Sequence, residues 1–153
     1  MRALEPWVVQ PLQTFLSESS ARLILLMTTS GQVIAQHGFS RSFEVMTAAA
    51  LGSAIVASTE ELARLMGTVQ FGAVVHGGRQ QSCMLAAFGT PRGRWIGLVV
   101  FGPETSVGLV QLFFDQMIEA LVGAAPREPA AAPLLAENFE RELNTSLKEL
   151  FGR

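Results

Sequence analysis

Between Ser42 and Met66 the chain runs for 25 residues without a proline, with a single glycine and a high content of alanine and leucine. Such a stretch is too long for a strand and too apolar for a loop. It predicts one long helix of roughly 37 Å around which the rest of the chain must be arranged. Ser42 is positioned to cap its start, and Gly67 supplies its stop. Two stripes run along this segment. Leu51, Ile55, Ser58, Leu62 and Leu65 form one, expected to cover a sheet, and Ala50, Ala54, Ala57, Glu61 and Arg64 form the other. Small side chains at Ala50, Ala54 and Ala57 leave room for another backbone, either of this domain or of a partner.

The flanking segments read as strands and shorter helices. Val8, Leu12, Phe15 and Leu16 recur at helical spacing within residues 5–19, with Pro11 placed in the first turn or at a kink. Residues 21–28 (ARLILLMT) form an apolar run. Thr29, Ser30 and Gly31 then supply turn chemistry before residues 32–37 (QVIAQH), which makes a hairpin closed by Gly38. After the long helix, residues 71–76 (FGAVVH), 82–89 (SCMLAAFG) and 95–102 (WIGLVVFG) are short apolar runs separated by GGRQ and TPRGR, which predicts a three-stranded meander. Thr105 or Ser106 then caps a helix carrying Val107, Val110, Phe114, Met117 and Leu121 and ending near Gly123. The expected order is α-β-β-α-β-β-β-α.

Residues 123–133 (GAAPREPAAAP) contain three prolines among alanines, the composition of a semi-rigid linker. The expected division is therefore a domain over 1–122, a linker over 123–133 and an amphipathic helix over 134–153. Leu135, Phe139, Leu143, Leu147, Leu150 and Phe151 would line the apolar side of that helix.

Several chemistries lack their residues. The only lysine is Lys148, so no phosphate-cradling P-loop exists, and no G-x-G-x-x-G motif follows a strand. His37 and His76 each stand near a strand end without a cysteine or carboxylate at ligand spacing. Asp115 is the only aspartate. No catalytic, cofactor or metal site is expected. Cys83 lies in an apolar run and reads as a buried, inert thiol. A net charge of −2 without a basic block argues against nucleic acid and an anionic membrane as partners. No run is expected to reach the length of a membrane span, which points to the cytoplasm. Arg79, Arg92 and Arg94 fall in expected hairpin loops, where a guanidinium would be solvated or would reach into a partner. With 49% hydrophobic and 16% charged residues, the chain is apolar enough to cover more than its own core.

The element order, the helix ending ELARLMG followed by Phe71, the strand end VVHGG at Val74–Gly78 and the string TSVGLVQLF at Thr105–Phe113 together resemble the roadblock/dynein light chain family, in particular its bacterial MglB branch. The likeness spans roughly Phe15 to Val122. It implies a five-stranded antiparallel sheet with the long helix on one face and two shorter helices on the other, an α+β arrangement. It also implies a homodimer joined along the third strand, through Phe71, Ala73, Val74, Val75 and His76, with the long helices side by side near Ala50. In that branch a Ras-like GTPase of the MglA type docks on the paired long helices, which here assigns Ala54, Ala57, Ser58, Glu61, Arg64 and Leu65. Tail contacts fall to Phe139, Leu143, Leu147 and Phe151. The implied role is allosteric regulation of the GTPase in the cytoplasm, in processes such as cell polarity and gliding motility. The alternatives are a non-activating scaffold and a small-molecule sensor of PAS-like or profilin-like build. The chain departs from the branch in the two arginines of TPRGR and in the charged pair Glu60 and Glu61.

Overall fold

The structure, a computed structural model, describes residues 2–3, 5–39, 43–69, 71–126 and 141–150. In chain order the elements are β1 (Arg2–Ala3), a 3₁₀ turn (Pro6–Val8), α1 (Val9–Ser19), β2 (Leu23–Thr28), β3 (Val33–Gly38), α2 (Val45–Leu65), β4 (Val74–His76), β5 (Ser82–Thr90), β6 (Gly93–Phe101) and α3 (Val107–Ala124). Residues 141–150 form a further helix, α4. The sheet is antiparallel with the order β1-β3-β2-β6-β5-β4. The five strands expected from the sequence are joined by β1, a two-residue strand paired to Gln36 and Ala35, too short to leave a periodic signal.

Alternation across the central strands sends side chains to two cores. Ile24, Leu26, Met84 and Val99 face α1 and α3, where they meet Leu12, Phe15, Val110 and Phe114. Leu23, Leu25, Met27, Leu85 and Leu98 face α2 and meet Ala49 and Val56. The long helix therefore covers one face and the two shorter helices the other. Having both faces covered explains why β2 and most of β6 are continuously apolar rather than alternating. The α1/α3 core is tied by aromatic rings. Phe114 meets Phe15 and Phe88 edge-on at centroid distances of 6.1 and 5.7 Å, and Trp7 stacks on Trp95 at 5.5 Å.

The helix ends follow capping chemistry. Ser106 accepts from the Leu109 amide and starts α3, as expected. At α2 the cap is Glu44, whose carboxylate accepts from the amides of Met46 and Thr47. This acceptor does what Ser42 was expected to do, and Ser42 lies outside the described residues. Gly67 closes α2 at φ +72°, where a Cβ would be strained. Pro11 sits buried in the first turn of α1.

Four expectations are corrected. The third expected strand shrinks to Val74–His76, and Phe71 and Ala73 precede it outside any strand. Arg94 lies within β6 rather than in the hairpin loop, because strand pairing continues to Thr90 and Gly93. The helix α3 is long and apolar enough to cross a membrane by length and composition. Its Val110, Phe114, Met117 and Leu121 instead fill the core. Finally, α2 is turned the other way round. It meets the sheet through Ala49, Gly52, Val56 and Ala63, with Ile55 of the expected stripe half-buried against the same core, while Leu51, Ser58, Leu62 and Leu65 are exposed. The sheet under α2 already presents Leu and Met side chains. A Cβ on Gly52 would lie 3.0 Å from Leu85 Cδ2 and 3.3 Å from Met27, so the helix comes closest to the sheet at this glycine.

The expected linker at 127–133 and the residues Leu135, Phe139 and Phe151 lie outside the described residues. The domain's last helix continues to Ala124, two residues past the expected boundary.

Candidate partner-docking surface

Turning α2 around leaves a broad apolar face on the outside. Leu51, Leu62 and Leu65 are 60%, 52% and 74% exposed, and Met46 and Met66 are exposed at the two ends of the helix. Ala50, Ala54, Ala57 and Ser58 lie exposed beside them. A shallow groove runs along the face, lined by Ala57, Ser58, Glu61, Leu62 and Leu65. The hydroxyls nearby are turned inward on the helix itself. Ser58 donates to the Ala54 carbonyl and Thr59 to the Ile55 carbonyl, both at 2.8 Å. With those donors satisfied locally, the part of the face around Leu51, Leu62 and Leu65 offers mainly shape and hydrocarbon, with the Glu61–Arg64 pair beside it.

The charges in this region are paired. Glu61 binds Arg64 one turn on, which holds the guanidinium pKa above its ordinary value. Glu60 binds Arg94, tying α2 to β6. The acidic pair that departs from the MglB branch is thereby neutralised by two arginines of the same domain, one of which was expected to be a loop residue. Arg79 and Arg92 are exposed in the two hairpin loops.

At the end of the sheet, β4 pairs only with β5, through Val74–Leu85, Val75–Met84 and His76–Cys83. Among the described residues its other edge is open. Phe71, Val75 and His76 are exposed there, with Ala73 and Val74 half-buried, and an open apolar strand edge invites pairing with another chain. Because β4 is so short, a cleft of about 210 Å³ opens beside it, with Phe71, Ala87, Arg94 and Asp115 among its lining. That is below the usual volume of a small-molecule pocket, roughly 300 Å³ and upward.

Of the titratable groups, burial pushes the half-buried Cys83 thiol pKa up, keeping it protonated. Burial also lowers the His37 pKa, and its Nδ1 is buried without a hydrogen-bond partner among the described residues. Among the described residues, no three His, Cys, Asp or Glu side chains gather as a metal site would require.

The structure thus brings Ala54, Ala57, Ser58, Glu61, Arg64 and Leu65 onto one exposed face, with Ala50 near its start. Sequence reasoning assigned Leu51 and Leu62 to the core and so missed them here. The signal for them was the third stripe, Ala49, Gly52, Val56 and Ala63, whose three small residues mark the side on which the helix can come close to a crowded sheet. Leu143 and Leu147 lie exposed on α4.

The two-layered covering of the antiparallel sheet, with its open β4 edge, defines a roadblock-fold protein. A Roadblock/LC7 domain from Streptomyces avermitilis matches with a TM-score of 0.62 at 14% identity, covering 72% of this chain and 90% of that one. Within that fold the chain resembles MglB. The gliding protein MglB of Thermus thermophilus is 28% identical with a TM-score of 0.67, covering 78% of this chain and 88% of that one. Myxococcus xanthus MglB matches at 23% identity and a TM-score of 0.70, over 78% and 95% of the respective chains. No protein-family model matches the chain, and no curated protein matches it.

Proposed function

We propose that this protein is a homodimeric regulator of a small Ras-like GTPase of the MglA type, without an active site of its own. The observation that carries the reading is the outward apolar face of α2 beside the open edge of β4. Pairing two β4 edges would cover the exposed edge and bring two α2 faces together, which gives a symmetric surface large enough for a third protein. The resemblance to MglB supplies the kind of third protein.

Regulation follows from differential binding. A dimer that holds the GTPase more tightly when its own catalytic groups face the γ-phosphate raises the population of that state and accelerates hydrolysis. No side chain of this protein has to reach the nucleotide. In this reading Phe139, Leu143, Leu147 and Phe151 of the tail make a secondary contact with the GTPase, and the complex works in the cytoplasm.

The test is light scattering of the purified chain alone and with an MglA-type GTPase loaded with a GTP analogue, together with GTP turnover. A dimer that co-elutes with the GTPase and speeds turnover supports the proposal. Co-elution with unchanged turnover replaces it with a scaffold. Val75→Asp, which places a charge on the open edge, is expected to give a folded monomer; a dimer of unchanged mass would place the interface elsewhere.

A further inference from the structure

The strand β5 outruns its neighbour. β4 pairs with it only over Cys83–Leu85, so among the described residues Ala86–Thr90 have no strand partner on that side, although β6 holds them on the other. Phe71, Gly72 and Ala73 lead into β4 beside this bare stretch, and Phe71 and Gly72 make no backbone hydrogen bond among the described residues. The cleft of about 210 Å³ is lined by both segments. We infer that Phe71–Ala73 is a strap that zips onto β5 in the register β4 has already set, closing the cleft and lengthening the edge offered to a second copy. The strap rests on the geometry of one chain, and only its coupling to a second copy rests on the dimer proposed above.

Register, side-chain phase and room select this occupant. Val74 lies opposite Leu85 in an antiparallel pair, so the next partners are Ala73 with Ala86, Gly72 with Ala87 and Phe71 with Phe88. Ala73 and Ala86 already pack against the same α1/α3 core, so the segment arrives with its faces in phase. Two residues earlier, Phe71 would turn to that side opposite Phe88, whose ring meets Trp95 and Phe114 edge-on at 6.5 and 5.7 Å. Phe71 is 40% exposed in the open form, so closing has apolar surface left to bury. Gly72 would turn toward α2 beside Ala87, and a Cβ placed on it meets nothing within 4 Å, so nothing stands in the way. Its backbone is not left-handed.

In one chain closing gains little, because the outward amides and carbonyls of the strap still face water while its backbone is fixed. A second β4 pairs those outward groups, and the edge it meets grows from the three residues Val74–His76 to the six from Phe71 to His76. Closing and pairing therefore favour each other by the same factor. With about one strap in three closed in the free chain, the two straps of a dimer weaken its apparent affinity about tenfold.

The strap is tested on the chain alone. Gly72→Cys with Ala87→Cys, in a Cys83→Ser background, sets two thiols opposite each other when the strap is zipped. In the open form the new Cβ has no neighbour within 4 Å, beyond the mean Cβ separation of a disulfide, about 3.8 Å. Gly72→Cys with Gly89→Cys, two residues out of register on the same face, is the control. Oxidation is expected to cross-link the in-register pair at least about tenfold faster. No cross-link, or equal rates in the two pairs, would overturn the strap. The coupling is read by sedimentation, in which the oxidised in-register pair is expected to dimerise about tenfold more tightly than its reduced form. Equal dissociation constants overturn the coupling and leave the dimer standing, whereas a chain monomeric in both forms overturns the dimer and the coupling together. Hydrogen exchange on the unmodified protein guards against a misfolded variant. The amides of Phe71–Ala73 are expected to slow at concentrations where the chain dimerises, and fast exchange in a proven dimer would refute the closing.

Discussion

Ala57→Arg separates the fold from the docking surface. Ala57 is exposed on α2 and lines the groove with Ser58, Glu61, Leu62 and Leu65. None of the four residues that α2 buries, Ala49, Gly52, Val56 and Ala63, is altered by it. Arginine and alanine are both good helix formers, so the cost to folding is expected to stay within about 0.5 kcal/mol, or a melting shift of about 2 °C. Binding is another matter. A guanidinium at the centre of a closed apolar contact loses its water without gaining a partner, since Glu61 is already held by Arg64. Leaving a buried charge uncompensated costs about 3–5 kcal/mol, which weakens the complex by a factor on the order of 10² to 10⁴. The assay is titration calorimetry against the GTPase, with Ala57→Ser as a control that keeps the groove open. Light scattering on the same sample reports whether the dimer persists. A variant that melts normally and still binds within about tenfold of the unmodified protein would refute the assignment of this face.

In the core, Gly97→Ala is expected to destabilise the domain by about 1–3 kcal/mol. Its Cβ would lie 2.6 Å from Phe114 Cε2, a ring already boxed by Phe15 and Phe88. Calorimetric melting tests this, and an unchanged midpoint would mean the ring is free to move. Replacing Arg79, Arg92 and Arg94 together by alanine should leave any GTPase stimulation within about tenfold, because loss of an arginine finger costs on the order of a thousandfold or more. Glu44 caps α2, and its hydrogen bonds to Thr47 hold its pKa below the ordinary carboxylate value. Its contribution to stability is thus present above that ordinary value and is lost as pH falls through the lowered one. A melting series from pH 6 downward should therefore show a loss that is smaller in Glu44→Gln.

The order of elements was legible because each kept its own period and turn chemistry: the hairpin at Thr29–Gly31, the proline-free α2, the Ser106 cap. What failed were the choices that depend on neighbours. The leucine stripe of α2 reads as a core stripe under any rule that buries the largest residues. The sheet beneath had already filled that space with Met27 and Leu85, so the helix comes closest on Gly52 and buries Ala49, Val56 and Ala63 beside it. Phe71 and Ala73 have strand-like composition, yet β4 pairs only from Val74 onward. Glu44 took over the cap because a carboxylate two or three residues ahead of free amides serves as well as a hydroxyl. The candidate surface was half visible. Its alanines were assigned to it from the sequence, but its leucines were not, since their exposure is a property of the sheet.

The contact between α2 and the sheet has an evolutionary corollary. Because Leu51, Leu62 and Leu65 take no part in that seam, these positions can be exchanged without rebuilding the interior. Affinity and partner choice can then drift along one side of a helix while the other side stays locked, so one scaffold can be re-addressed by surface substitutions alone.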